Sequence, residues 1–220
     1  MDHVKVANTF FTILTLLANA AVALAVVLAL AALVSSSARR FAGAVVDGIG
    51  PSARPLAWFV AAVATLGSLY YSEVAHFVPC RLCWYQRICM YPLAAILLVG
   101  LLLRDHRARI YAAPFVVIGA PLSLYHWLVE RGVFAESKSC SATVPCSVPW
   151  FEELGYVTLA FMAMSGFLLI GTLLLVDWIS ERRSEGSAGV ATGNHGAPGN
   201  DQSDADPVDE PGSPAVEVTT

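Results

Sequence analysis

Two cysteines separated by two residues, Cys80 and Cys83, stand in the stretch PCRLCWYQRICMYP, directly ahead of an apolar run. A second pair, Cys140 and Cys146, follows in CSATVPC, and Cys89 is the last of the five cysteines. Cysteines so spaced have three uses: a four-thiolate zinc site, a structural disulfide, or a pair of exchanging thiols. The gap in CSATVPC is looser than most zinc knuckles, so no metal is expected. A Cys140–Cys146 bridge could simply staple a loop that holds Pro145 and Pro149. The first pair is different in kind: its ring would be too small to constrain much of the unfolded chain, while keeping both sulfurs placed for exchange. Cys80 and Cys83 therefore read as reactive.

Arg87 lies four residues after Cys83, on the same face if a helix has begun by then. Together with the free N–H groups at a helix start, it would favour a thiolate at Cys83. Snorkelling to lipid headgroups is the plain alternative for this arginine. Cys89, on another face, reads as a small buried residue. His126 and Glu73 flank the same region and could handle protons; a satisfied interfacial histidine and a solvated carboxylate are the ordinary readings. Trp84, Tyr85, Tyr91, Trp127 and Trp150 suit an interfacial aromatic belt, with the first two also able to pack against a flat ligand.

Elements that could position these groups must lie in lipid, because 56% of the 220 residues are hydrophobic and only 14% are charged. One soluble core could not hide so much apolar surface. Five uncharged runs are long enough, with their flanks, to cross a bilayer: roughly Ala7–Val34, Leu56–Tyr71, Ile88–Leu103, Ile110–Val129 and Leu154–Val176. Basic residues cluster between the first and second runs (Arg39, Arg40, Arg54), between the third and fourth (Arg104, Arg107, Arg109), and after the fifth (Arg182, Arg183). All three clusters fall on one side, which the charge rule makes cytoplasmic. Both cysteine pairs then face outward, where disulfides persist. The first run is too long for a signal peptide, and its cleavage would put every basic cluster outside. It is expected to stay as a helix with its N-terminus outside.

Up to Arg183 the chain carries 13 basic and 10 acidic residues, and after it 7 acidic and none basic. That tail, rich in Gly, Ser, Pro and Asp, is expected to be disordered and cytoplasmic. No nucleic-acid surface, phosphate loop or repeat is present. Three segments follow: residues 1–54 with the first helix, 55–178 with the remaining four, and 179–220 as an acidic tail.

A disulfide that oxidises another protein stops unless something removes two electrons. Strongly oxidising exported thioredoxin-fold proteins lie near roughly −120 mV, so the acceptor must be more positive still. Nicotinamide and glutathione would run the reaction backwards, and thiols at a membrane surface point instead to a lipid-soluble quinone.

The segments GSLYYSE, FVPCRLCWYQRICMYP, IGAPLSLYHWLVE and CSATVPC, within about Ala57–Val176, resemble the DsbB family of disulfide bond formation proteins, in its BdbC type. The resemblance implies an antiparallel four-helix transmembrane bundle, here with one extra N-terminal helix, in the plasma membrane. It also implies an enzyme that reoxidises a thioredoxin-fold partner of the DsbA or BdbD kind and reduces a quinone, ubiquinone or menaquinone. By that resemblance the partner's thiolate attacks Cys140, Cys146 exchanges with Cys80, and Cys83 engages the quinone. Arg87 would steady both the Cys83 thiolate and the reducing quinone, and His126 would join the quinone site. Two rival readings are a vitamin K epoxide reductase-like oxidoreductase, disfavoured because its outer-loop pair precedes the CxxC, and a non-enzymatic protein with structural disulfides.

Overall fold

A computed structural model describes residues 2–136, 140 and 143–193. Five helices run α1 (Asp2–Val34), α2 (Ser36–Leu69), α3 (Arg81–Leu102), α4 (Ala108–Glu130) and α5 (Leu159–Gly193), and a π-helical turn, Tyr70–Val74, extends α2. Each is long and apolar enough to cross a membrane. This is an all-α, multi-pass membrane protein, and residues 1–184 form one compact unit.

The helices are longer than the apolar runs predict. Only Ser35 separates α1 from α2: its backbone is extended and its hydroxyl accepts from the Ala38 N–H at 3.5 Å. The loop expected around Arg39, Arg40 and Arg54 is therefore helix. Pro51 and Pro55 lie inside α2 without ending it, as happens in membranes where neighbouring helices satisfy the freed carbonyls. α5 continues past Val176 to Gly193, so Ser184–Gly193 is helical rather than disordered. The rest of the acidic tail, from residue 194, lies outside the described residues.

Lipid gives no hydrophobic drive between helices, so close backbone approach and dispersion must hold them together. α2 meets this with Ala53, Ala57 and Ala61, all fully buried one turn apart. Against them pack Leu93 and Leu97 of α3 and Phe167 and Ile170 of α5. Gly119 of α4 admits the Phe167 ring so closely that a Cβ there would lie 2.4 Å from it. Outward-facing residues such as Val27, Val117 and Ile118 are exposed, as a lipid-facing surface requires.

Away from the cysteines, charged side chains tie three helices together. Arg54 of α2 donates to both oxygens of Asp177 on α5, at 3.0 and 3.1 Å, and meets His106 Nδ1 at 3.0 Å. Arg109 of α4 pairs with Asp177 at 3.5 Å and with Glu181, which also pairs with His106. Two of the arginines read from sequence as topology signals are thus also partners of acids on α5.

Candidate active site

Pro79 and the extended backbone of Cys80 stop the chain from joining α3 before Arg81, which makes Cys80 the N-cap. Its sulfur accepts from the Cys83 N–H at 3.3 Å, lies 2.8 Å from Cys83 Sγ, and stands 3.5 Å from His126 Nε2. The helix-end effect expected at Cys83 therefore acts on Cys80. The Cys83 thiol donating to it, and then His126, hold the Cys80 thiol far below its ordinary range, at about 4.

His126 projects from α4 and is buried. Gln86, one turn after Cys83 on α3, places its Nε2 3.1 Å from His126 Nδ1. With Gln86 as donor there, the ring proton sits on Nε2, facing Cys80 and, at 3.8 Å, Glu130 Oε1. Glu130 Oε2 in turn accepts from Thr158 Oγ1 at 2.5 Å. The sequence reading found His126 and missed Gln86, Glu130 and Thr158. One signal was present: Glu130 lies four residues after His126 at the end of an apolar helix, where a buried carboxylate needs a partner.

Cys140 and Cys146 form a disulfide. Cys146 is 1% exposed and shares a buried cluster with Cys80 and Leu82, against which Cys83 and Cys140 pack. All four cysteines expected to react are thus brought together. The loop carrying the second pair is better anchored than its composition suggests. Glu136 accepts from the Cys146 N–H at 2.5 Å and from the Ser147 hydroxyl at 3.0 Å. Trp150 stacks on Phe77 with centroids 4.9 Å apart and donates to the Val78 carbonyl.

On the membrane side of Cys83 opens a cavity of about 370 Å³. Cys83, Gln86, Arg87, Ser68 and Tyr91 are among its polar lining residues, and Val63, Met90 and Phe167 are among its apolar walls. Arg87 donates to the Ser68 carbonyl at 2.9 Å and lies over the Trp84 ring at 5.3 Å, so its charge is held within the protein beside the cavity. His126 does not line this cavity; it lines a small one with Cys80, Glu130 and Pro149. Of the five aromatic residues expected to form an interfacial belt, Tyr91 and Trp150 reach the larger cavity, whereas Trp84 and Tyr85 are exposed outside it. Glu73 is exposed and bonded to the Ser72 hydroxyl, and Cys89 is buried in the core.

Residues 52–176 match the family model described as "Disulfide bond formation protein DsbB". "Disulfide bond formation protein C" of Bacillus subtilis is 45% identical over 114 residues, covering 51% of this chain and 83% of that protein. "Probable disulfide formation protein" of Deinococcus radiodurans is 40% identical over 136 residues, covering 58% and 88%. No solved structure matches the chain.

Proposed function

Because the chain belongs to the DsbB family of disulfide bond formation proteins, we propose that it is a quinone-dependent oxidase that regenerates the disulfide of an exported thioredoxin-fold thiol oxidase. The observation that carries this reading is Cys83, which touches its redox partner Cys80 on one side and lines an apolar cavity beside Arg87 on the other.

The cysteines differ in what can reach them. Cys140 is half-buried and Cys146 almost fully buried, so an incoming thiolate from a protein partner meets Cys140. Attack there forms a mixed disulfide and leaves Cys146 as thiolate; the partner's second thiol resolves the mixed disulfide and departs oxidised. Cys146, packed in one cluster with Cys80, then attacks a Cys80–Cys83 disulfide at Cys80. Cys140 completes the exchange, which restores Cys140–Cys146 and leaves two electrons on Cys80 and Cys83. The cap N–H and the Cys83 thiol stabilise the Cys80 thiolate, making it a good leaving group. His126 directs its Nε2 proton at the Cys80 sulfur, with Glu130 3.8 Å from the same nitrogen, a buried pair that can deliver a proton to that sulfur.

The cavity fits a quinone. Its volume is within the ~300–1,000 Å³ of small-molecule pockets, its walls are mostly apolar, and its few polar groups include the Cys83 thiol and the Arg87 guanidinium. A bound quinone supplies an acceptor for two electrons and two protons. Arg87, held by Ser68 and Trp84, places positive charge where negative charge develops. In this reading the cysteine end faces the exterior and the tail the cytoplasm.

The test uses the purified protein in detergent with a reduced thioredoxin-fold protein, and follows quinone absorbance with ubiquinone and with a menaquinone analogue. Turnover with one of them, abolished in Cys83→Ala, is expected. No turnover with either, or full turnover in Cys83→Ala, overturns the assignment.

A further inference from the structure

α1 lies outside the matched region, which begins at residue 52, yet it supplies one wall of the cavity through Phe11, Leu14, Thr15 and Ala18. Its seating is specific. Asn8, Thr12 and Thr15 are buried polar residues on an otherwise apolar helix, at spacings of four and three that set them on one face with Asn19. Polar side chains in a membrane helix face a protein partner rather than lipid. Asn8 Oδ1 accepts from the Tyr71 hydroxyl at 3.0 Å, at the π turn that ends α2. Asn19 Nδ2 donates to Ser165 Oγ of α5 at 2.8 Å. Between these two points Phe11 sits on Gly67, so closely that a Cβ there would meet its ring at 2.6 Å. α1 is thus pinned to α2 at one level and to α5 at another, across the gap in which the cavity lies.

We propose that α1 is part of the acceptor site. Phe11, Leu14, Thr15 and Ala18 contact the quinone and close the side of the cavity that the α2–α5 bundle leaves open. This rests on the quinone reading above. Leu17 of α1 and Phe59 of α2 also line the cavity and are themselves exposed, so an isoprenoid tail has a route to lipid between these two helices.

Quenching of tryptophan emission reports binding directly, because Trp150 lines the cavity. The full-length protein is titrated with decylubiquinone and with a short-chain menaquinone analogue. Ala18→Phe, which fills the cavity from α1, is expected to weaken binding by about tenfold or more, since overpacking a formed site displaces its occupant. Val27→Phe, on the exposed face of α1, should bind as the unaltered protein does. Unchanged affinity in Ala18→Phe overturns the role of α1. Absence of quenching by either quinone in the unaltered protein overturns the quinone reading itself. If Ala18→Phe does not fold, cross-linking decides, using the unaltered protein and an azido-substituted quinone. Label on residues 11–18 supports the proposal, label confined to α2, α3 and α5 overturns α1 alone, and no label at all counts against the quinone.

Discussion

Cys80 owes its chemistry to its position at a helix cap, and that makes a prediction at the scale of one sulfur. A thiol held at about 4 is ionised across the neutral range, and its thiolate fraction falls only as pH drops through that value. In the reduced protein the rate of Cys80 alkylation by iodoacetamide should be flat from pH 8 down to about pH 5. In Cys83→Ala the thiol that donates to Cys80 is gone, so the inflection should move up toward the ordinary thiol range and the rate at pH 6 should fall. An inflection that stays low in Cys83→Ala would assign the effect to His126 instead. Glu130→Gln keeps the acceptor for Thr158 while removing the charge beside His126. It should slow turnover by about tenfold to a hundredfold at pH 7, the scale of a lost proton-transfer partner, without changing quinone affinity. A matched loss of affinity would place Glu130 in the quinone site. The residues proposed to react could be picked out as candidates from the sequence, because cysteine spacing and a nearby arginine are local signals. Which of the two sulfurs the helix end would favour was not, since it turned on where α3 begins. Gln86 and Thr158 carried no signal of their own; they matter only because α3, α4 and the start of α5 meet around His126.

At the scale of helices, five spans were legible because lipid demands long uncharged runs, but their ends were not. The uncharged runs began at Leu56 and stopped at Val176, whereas α2 starts well before the first, through Pro51 and Pro55, and α5 continues well past the second. Charged residues near the end of a span were legible as orientation signals but not as partners, because Arg54 and Asp177 are far apart in sequence. Their side chains are only 12% and 8% exposed, so removing one strands the other. Asp177→Ala leaves Arg54 without its carboxylate and deprives Arg109 of one of its two acids. It should lower stability by about 3 kcal/mol, read as a drop in the thermal unfolding midpoint in detergent. Replacing both partners of the pair by apolar residues should cost less than Asp177→Ala alone, because no uncompensated charge remains. Thiol exchange at the other end should survive both changes. A loss of exchange without a loss of stability would mean the network does more than tie α2, α4 and α5.

For the molecule as a whole, the fold now places the basic residues more firmly than the sequence did. The α1–α2 junction, the α3–α4 connection and the last turns of the spanning part of α5 all lie at the end opposite the cysteines. There stand Arg39, Arg40, Arg104, Arg107, Arg182 and Arg183. That Arg39 and Arg40 are helical rather than in a loop does not weaken the signal, since the bias counts charges near the ends of spans whatever their backbone. Among the described residues the cysteine end carries Lys5, Arg81, Arg87 and Arg131, the last paired with Glu152 at 3.1 Å. The imbalance should put the cysteines outside the cell and the basic end within. In a variant whose native cysteines are replaced by serine, Val133→Cys on the exposed α4–α5 connection should react with a membrane-impermeant maleimide on intact cells. Arg107→Cys should react only after the cells are opened. The reverse pattern would turn the protein over in the membrane, and with it would go the proposal that it serves exported thiols: a disulfide generator facing the cytoplasm would work against a reducing pool.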